Sequence, residues 1–157
     1  MHNIYFARHG ETVWNVENKI CGMTDSPLTE KGRQQARELG RKVRESGVRI
    51  DEILYSPLSR AADTAKAVAE ATGLPARCEP RLREQCFGRY EGTPRDGAEF
   101  RISKTHFADR YGDGESMMQL ASASTLCWTS CGRTRTRPIF SWPITASPGW
   151  WNPISTT

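Results

Sequence analysis

The apolar positions of the chain fall into short unbroken runs separated by stripes at helical spacing. Ile4-Tyr5-Phe6-Ala7 is a continuous apolar and aromatic run closed by Arg8-His9-Gly10-Glu11-Thr12, the pattern of a short strand buried on both faces. Val13-Trp14-Asn15 follows, then a polar loop carrying Cys21-Gly22-Met23-Thr24-Asp25-Ser26-Pro27. Leu28-Thr29-Glu30-Lys31-Gly32 opens a helix, with Thr29 as N-cap and Leu28 as the apolar staple before it. Ala36, Leu39 and Val43 share one face of that helix, and Gly47 is its stop. Ile50 to Tyr55 reads as a second strand. The next helix starts near Pro57, which lacks only a hydrogen bond the first turn does not make, and runs through Ala61, Ala62, Ala65, Val68 and Ala69 to Gly73, with Pro75 beyond. Residues 76–80 form a third short strand. Leu82 to Gly92 is a loop whose glycines and aromatics predict a folded wall. A polar helical stretch spans about Glu99 to Phe107, and Gly112 to Ser116 is a loop before a helix beginning at Met117.

Strand and helix alternate, which implies an α/β fold of parallel units joined by right-handed crossovers. In such sheets ligands bind at the carboxyl ends of the strands. Arg8, His9 and Gly10 close the first strand and Arg60 follows the second, so all four are expected on one rim. Gly10 is expected to let the backbone turn sharply and approach a ligand closely, which Ala could not do at positive φ. A histidine on a rigid strand end beside a fixed cation suits an anionic substrate.

At 157 residues, 37% hydrophobic and 25% charged, the chain has the size of one domain with a modest core. The net charge of +4 is unevenly placed. Residues 122–157 carry Arg133, Arg135 and Arg137 and no acid, which leaves +1 for residues 1–121. No basic stripe with interleaved aromatics is present, so nucleic acid is not expected as a partner. The five cysteines form no paired CxxC and have no histidine at ligand spacing; free thiols in a reducing compartment are expected, with no metal. The first strand begins almost at once, without a basic region and long apolar segment, so a cytoplasmic protein with no signal peptide is expected. No apolar run approaches membrane-helix length.

Five ordered motifs carry a resemblance. They are Arg8-His9-Gly10-Glu11-Thr12 with Asn15; Gly22, Asp25, Pro27-Leu28-Thr29, Gly32 and Gln35-Ala36; Ser56, Leu58, Arg60-Ala61 and Thr64-Ala65; Leu82, Glu84, Gly88 and Tyr90-Glu91-Gly92; and Gly114-Glu115-Ser116. Together they resemble the histidine phosphatase superfamily, in the branch that holds cofactor-dependent phosphoglycerate mutases and smaller phosphatases. The resemblance implies a three-layer αβα sandwich with a mostly parallel central sheet, and phosphoryl transfer through a phosphohistidine. His9 would attack phosphorus, Arg8 and Arg60 would clamp its oxygens, Asn15 would add a hydrogen bond, Cys21 and Gly22 would line the substrate pocket, and Glu84 would protonate the leaving alcohol. The chemistry is coherent. Guanidinium forks match phosphoryl oxygens, neighbouring arginines favour a neutral imidazole, and a carboxyl group beside bound phosphate tends to stay protonated. Each residue also has a plainer reading taken singly: Arg60 as a solvated residue in a first turn, Glu84 as part of an exposed Arg81-Arg83-Glu84 run, Asn15 as a turn former. His2 and His106 are expected at the surface. The substrate implied is a small phosphorylated metabolite, and no cofactor is called for.

The resemblance covers residues 1–121 and fails over 122–157. The family pocket has a second histidine in a strand ending V-x-H-x-G, yet this chain has only His2, His9 and His106. Residues 122–157 hold four of the five Trp and four of the nine Pro, with neither helical nor strand periodicity. One reading is a disordered or interaction tail. The preferred reading is a shift of reading frame near Ala121. If each hidden codon joins the third base of one codon to the first two of the next, the single Trp codon forces Leu-Asp across Cys127-Trp128-Thr129, Ala at Trp142-Pro143 and Val-Glu across Trp150-Trp151-Asn152. Ser124 to Cys131 can then encode Y-T-L-L-D-E-L, and Ile139 to Asn152 can encode L-L-V-A-H-N-G-I-A-R-V-V-E. The first is an amphipathic helix, and the second is an apolar strand with the missing histidine. On this reading the sheet is incomplete at the C-terminus, with an edge exposed beside the first strand, and the chain is an impaired phosphatase. Phosphoglycerate mutase-type transfer and a non-catalytic phosphate-binding remnant are the alternatives.

Overall fold

A computed structural model describes residues 4–132, 138–141 and 153–154. The elements in chain order are β1 (Ile4–Ala7), α1 (Val13–Val16), α2 (Glu30–Glu45), β2 (Glu52–Tyr55), α3 (Ser59–Thr72), β3 (Ala76–Cys78), α4 (Ala98–Ser103), α5 (Met117–Gly132), β4 (Pro138–Ser141) and β5 (Pro153–Ile154). The sheet order is β3-β2-β4-β1-β5. The first four strands are parallel, and β5 runs antiparallel to β1.

Period-two alternation of side chains sorts the core into two faces. Tyr5, Ala7 and Ile53 point to one side, where Val43 of α2 and Ala65 and Val68 of α3 cover them. Leu54 points to the other, packed with Leu82, Cys127 of α5 and the half-buried Ile4 and Phe6. Helices therefore lie on both faces of a mostly parallel sheet, the αβα sandwich expected.

The helix signals hold with small shifts of boundary. The Thr29 side chain accepts from Gly32 N at 3.0 Å and starts α2; its outer face is laced by pairs such as Arg41 with Glu38 and Glu45. α3 starts at Ser59, where no residue of its own caps it. The Asp25 carboxylate does so instead, accepting from Ser59 N at 3.0 Å and Ser59 Oγ at 2.9 Å. α4 is shorter than the stretch expected from Glu99 to Phe107. Ser103 and Thr105 hydroxyls bond back to the carbonyls of Glu99 and Ile102, a local pairing that competes with helix propagation. The wall expected over Leu82 to Gly92 is a folded one: Phe87, Tyr90, Phe100 and Tyr111 meet at ring separations of 5.3–5.9 Å around Ile20.

The C-terminal stretch departs from the expectation. The helix runs on to Gly132, although an apolar stripe is missing. Ser122 and Thr125 return their hydroxyls to the carbonyls of Met118 and Ala121, so these two polar side chains are satisfied within the helix. The gap expected beside β1 is not there. Pro138–Ser141 fills it, with Tyr5 opposite Ile139 and Ile53 opposite the same residue on the other side. A central strand draws its stability from ladders on both edges and needs no alternating pattern. The residues that would carry the second histidine in the shifted frame, 142–152, lie outside the described residues, as does His2. Among the described residues no helix is long and apolar enough to cross a membrane.

Candidate active site

Past Ala7 the chain leaves β1, and Arg8, His9 and Gly10 form the rim. Gly10 is needed here for close approach, not for a left-handed turn, since its φ is not positive. A Cβ on Gly10 would lie 2.2 Å from the carbonyl oxygen of Gly32, and one on Gly32 would lie 2.0 Å from that of Glu11. Two glycines thus let the rim touch the start of α2. Gly10 N also donates to Thr64 Oγ1 at 3.3 Å, and that hydroxyl donates to Arg60 O at 2.7 Å, which ties the rim to α3.

His9 is partly buried, and its Nδ1 lies 2.7 Å from Gly10 O. A carbonyl only accepts, so Nδ1 carries the proton and Nε2 is left with its lone pair. Burial is the largest reason that the ring pKa falls to about 4; Arg60, Arg8 and Arg95 add positive charge in the same direction, against the Gly10 carbonyl. At neutral pH the imidazole is uncharged.

Glu84 is buried beside the same cations. Burial pushes its pKa up to about 7, and the nearby Glu91 charge adds to that. The Gln85 amide, which donates to Glu84 Oε1 at 3.1 Å, and the charges of Arg60 and Arg8 oppose it. A carboxyl group poised in this range can give and take a proton near neutrality.

Arg60 is almost wholly buried on the first turn of α3. Its Nη2 donates to Gly22 O at 2.6 Å and its Nη1 to Thr24 O at 3.0 Å, while Asp25 Oδ1 stands 3.8 Å from Nη1. The two carbonyls fix the direction of the fork and carry no charge of their own; the partly exposed Asp25, beyond hydrogen-bond reach, is the acidic partner. Gly22 could be no other residue, because a Cβ would lie 2.1 Å from Gln85 O. Cys21 is half-buried, and its Sγ donates to Thr24 O at 3.4 Å. Burial raises its pKa, Glu91 and Glu84 add to that, and Arg60 and Arg95 oppose it.

Six of the seven residues singled out from sequence therefore share one neighbourhood: Arg8, His9, Cys21, Gly22, Arg60 and Glu84. Asn15 is built into a capping box, its Oδ1 accepting from Thr12 N at 3.0 Å and its own N–H donating to Thr12 Oγ1 at 3.2 Å. Among the described residues no contact joins it to the other six. His106 is exposed, with Nδ1 3.3 Å from Asp109. No three His, Cys, Asp or Glu side chains come together as a metal would require, among the described residues.

Two residues of the site carried no assigned role in the sequence. Glu91 receives four backbone amides: Gly22 at 3.0 Å, Met23 at 3.1 Å, Thr24 at 3.3 Å and Phe87 at 3.0 Å. Arg95 donates from Nε to Lys19 O at 2.8 Å, and its charge acts on His9 and Cys21. Glu91 stands inside the fourth of the five motifs; Arg95 lies in a polar loop with no signal.

The model of the Histidine phosphatase superfamily (branch 1) matches residues 4–129. The chain is 37% identical over 156 residues to the probable phosphoglycerate mutase GpmB of Yersinia pestis (strain Pestoides F), covering 95% of this chain and 70% of that protein. Among solved structures, the mycobacterial glucosyl-3-phosphoglycerate phosphatase in complex with VO3 is similar at 26% identity and a TM-score of 0.79, covering 91% of this chain and 75% of that one. Bacillus stearothermophilus YhfR is similar at 33% identity and a TM-score of 0.75, covering 90% and 73%.

Proposed function

The chain belongs to the histidine phosphatase superfamily, and on that footing we propose that it hydrolyses phosphomonoesters through a phosphohistidine on His9. The observation that carries the reading is an imidazole whose Nδ1 faces Gly10 O at 2.7 Å, leaving Nε2 free, in one neighbourhood with the buried Glu84 carboxyl and the Arg60 fork; burial there moves the pKa of His9 down to about 4 and that of Glu84 up to about 7. Between those values the nucleophile is free and the acid is loaded.

In the first half-reaction His9 Nε2 forms a bond to phosphorus as the ester P–O bond breaks. Glu84 passes its proton to the departing alkoxide, so the alcohol leaves neutral. Arg8 and Arg60 hold the non-bridging oxygens, and preorganised charge of this kind supplies most of the barrier reduction in phosphoryl transfer. In the second half-reaction water attacks phosphorus, gives a proton to the Glu84 carboxylate, and the N–P bond breaks. Phosphate leaves, with His9 neutral and Glu84 protonated as at the start. Cys21 and Gly22 complete the pocket wall on this reading, and the substrate is a small phosphorylated metabolite of the cytoplasm.

Hydrolysis is preferred to mutase chemistry because only a 3-10 turn at Gly88–Tyr90, the six-residue α4 and loops lie between Glu84 and Gly114, little chain for an elaborate substrate cap. The likeness to a probable phosphoglycerate mutase keeps return of the phosphoryl group to a second hydroxyl as the alternative. Incubation with labelled phosphoglycerate separates them: release of inorganic phosphate supports the hydrolase, isomerised product the mutase. Rapid quenching with labelled substrate tests the common step. Acid-labile label on the protein, lost in His9→Ala, is expected; turnover with no label at any time ends the reading.

The chain as it stands is proposed to be slow, because no histidine follows His106 in the sequence to stand where the family pocket has its second imidazole. A frame shift near Ala121 accounts for this. The register of β4 supports it: Ser141 lies opposite Ala7, two residues before His9, and the histidine codon of the shifted frame begins in the codon of Pro143, two residues after Ser141.

A further inference from the structure

Glu91 stands one step behind the arginine that would clamp phosphate. Its Oε2 accepts from Gly22 N and Thr24 N, and its Oε1 accepts from Met23 N and Phe87 N. The same turn offers the carbonyls of Gly22 and Thr24 to the two terminal nitrogens of Arg60. Amide donors on one side of the turn and carbonyl acceptors on the other make a continuous path from carboxylate to guanidinium. Phe87 N brings in a second segment, the one that carries Glu84 and the Gln85 amide bonded to it.

We propose that Glu91 is a positioning residue of the active site: its carboxylate sets the Gly22–Thr24 turn that aims Arg60 and ties that turn to the segment bearing Glu84. The inference rests on Arg60 being a phosphate clamp. Its logic is one of charge. The one carboxylate paired with Arg60, that of Asp25, is half-exposed and stands 3.8 Å from Nη1, outside hydrogen-bond reach, so it offsets the charge only weakly. A second carboxylate hydrogen-bonded directly to the fork would fix it but cancel the charge that an anion needs. With its charge spent on amides, Glu91 fixes the fork through neutral carbonyls and leaves the guanidinium electropositive. Glutamine cannot do the same, having one acceptor oxygen and an NH2 that meets N–H groups donor to donor.

The test is a double-mutant cycle on the full chain, read by calorimetric binding of inorganic phosphate, with Glu91→Gln, Arg60→Ala and the pair. Misaiming a clamp is expected to weaken phosphate binding by about tenfold or more in Glu91→Gln, with no further loss when Arg60→Ala is already present. The alkaline limb of the pH–rate profile should also move to lower pH in Glu91→Gln, because a negative charge near Glu84 has gone, a shift that a merely structural role would not produce. Wild-type affinity in a folded Glu91→Gln, or the same factor lost in both backgrounds, overturns the proposal. If Glu91→Gln fails to fold, Glu91→Asp replaces it in the cycle; its carboxylate is one methylene short of spanning the turn and Phe87, so wild-type affinity there overturns the proposal too. Wild-type protein that binds phosphate yet never transfers a phosphoryl group to His9 ends the phosphohistidine reading and leaves the cycle to decide this one.

Discussion

His9 and Glu84 feel the same two cations, Arg60 and Arg8, and burial moves their pKa values apart, to about 4 and about 7. Both are therefore uncharged across the interval between, the state in which one can attack and the other can protonate. Desolvation produces both displacements, since it disfavours the imidazolium as it disfavours the carboxylate.

The pH dependence of kcat/KM follows from that interval. Activity requires neutral His9, so it should fall as pH drops through about 4. It also requires protonated Glu84, so it should fall as pH rises through about 7. Glu84→Gln should lower kcat by about 10²–10⁴ and remove the alkaline limb. Initial rates on a phosphomonoester between pH 3 and 9 check this, and a rate still climbing above pH 8 would count against Glu84 as the acid.

Arg60→Ala removes a buried charge that lowers the pKa values of both His9 and Glu84, so both limbs should move to higher pH. Loss of a donor to the transferring group should also reduce kcat/KM by about 10²–10³. Val43→Ala is the control. It deletes buried methyl groups between α2 and the sheet and should lower stability by about 2 kcal/mol while leaving the order of magnitude of kcat/KM unchanged. Equal losses of activity in the two variants would mean that Arg60 matters only for the fold.

Gly10→Ala should be severe for a reason the backbone angle does not give. The new methyl would sit 2.2 Å from Gly32 O, so the rim and α2 must part. Overpacking of this kind typically costs about 1–3 kcal/mol, and the displaced atoms adjoin His9. A thermal melt should show the loss of stability, and the rate a larger loss than the melt explains. A melt and rate unchanged from wild type would show that the rim yields freely.

Much of the site was readable because its parts end regular elements. The run Ile4 to Ala7 stops at the rim, and Arg60 follows the second strand, so periodicity alone brings both to one edge of a parallel sheet. Glu84 and Cys21 lie in loops without periodicity; Glu84 was marked only by its motif, and Cys21 only by adjoining the Gly22 that opens one. The task of Glu91 left no local trace, because it is set by amides 67–69 residues away. Gly10 was visible as special, but a sequence does not distinguish a positive φ from a close approach between two glycines far apart. β4 was illegible for another reason: a strand paired on both edges is specified by its neighbours more than by its own pattern.

Restoring the proposed reading frame is the prediction with the widest consequence. The sheet keeps a strand between β1 and β2, as Pro138–Ser141, so the proposed impairment should lie in the missing imidazole more than in a missing strand. A single-base correction near Ala121 would place histidine at the codon spanning Pro143 and Ile144, just beyond the strand whose Ser141 pairs with Ala7. A second imidazole beside the phosphoryl group adds a donor to the transition state, and the corrected protein should exceed the present chain in kcat by about 10² or more. The coding DNA is the first check: bases under Trp142 to Thr145 that cannot read Ala-His-Asn out of frame rule the shift out. If they can, equal turnover of the two proteins would show that His9, Arg8, Arg60 and Glu84 suffice without a second histidine.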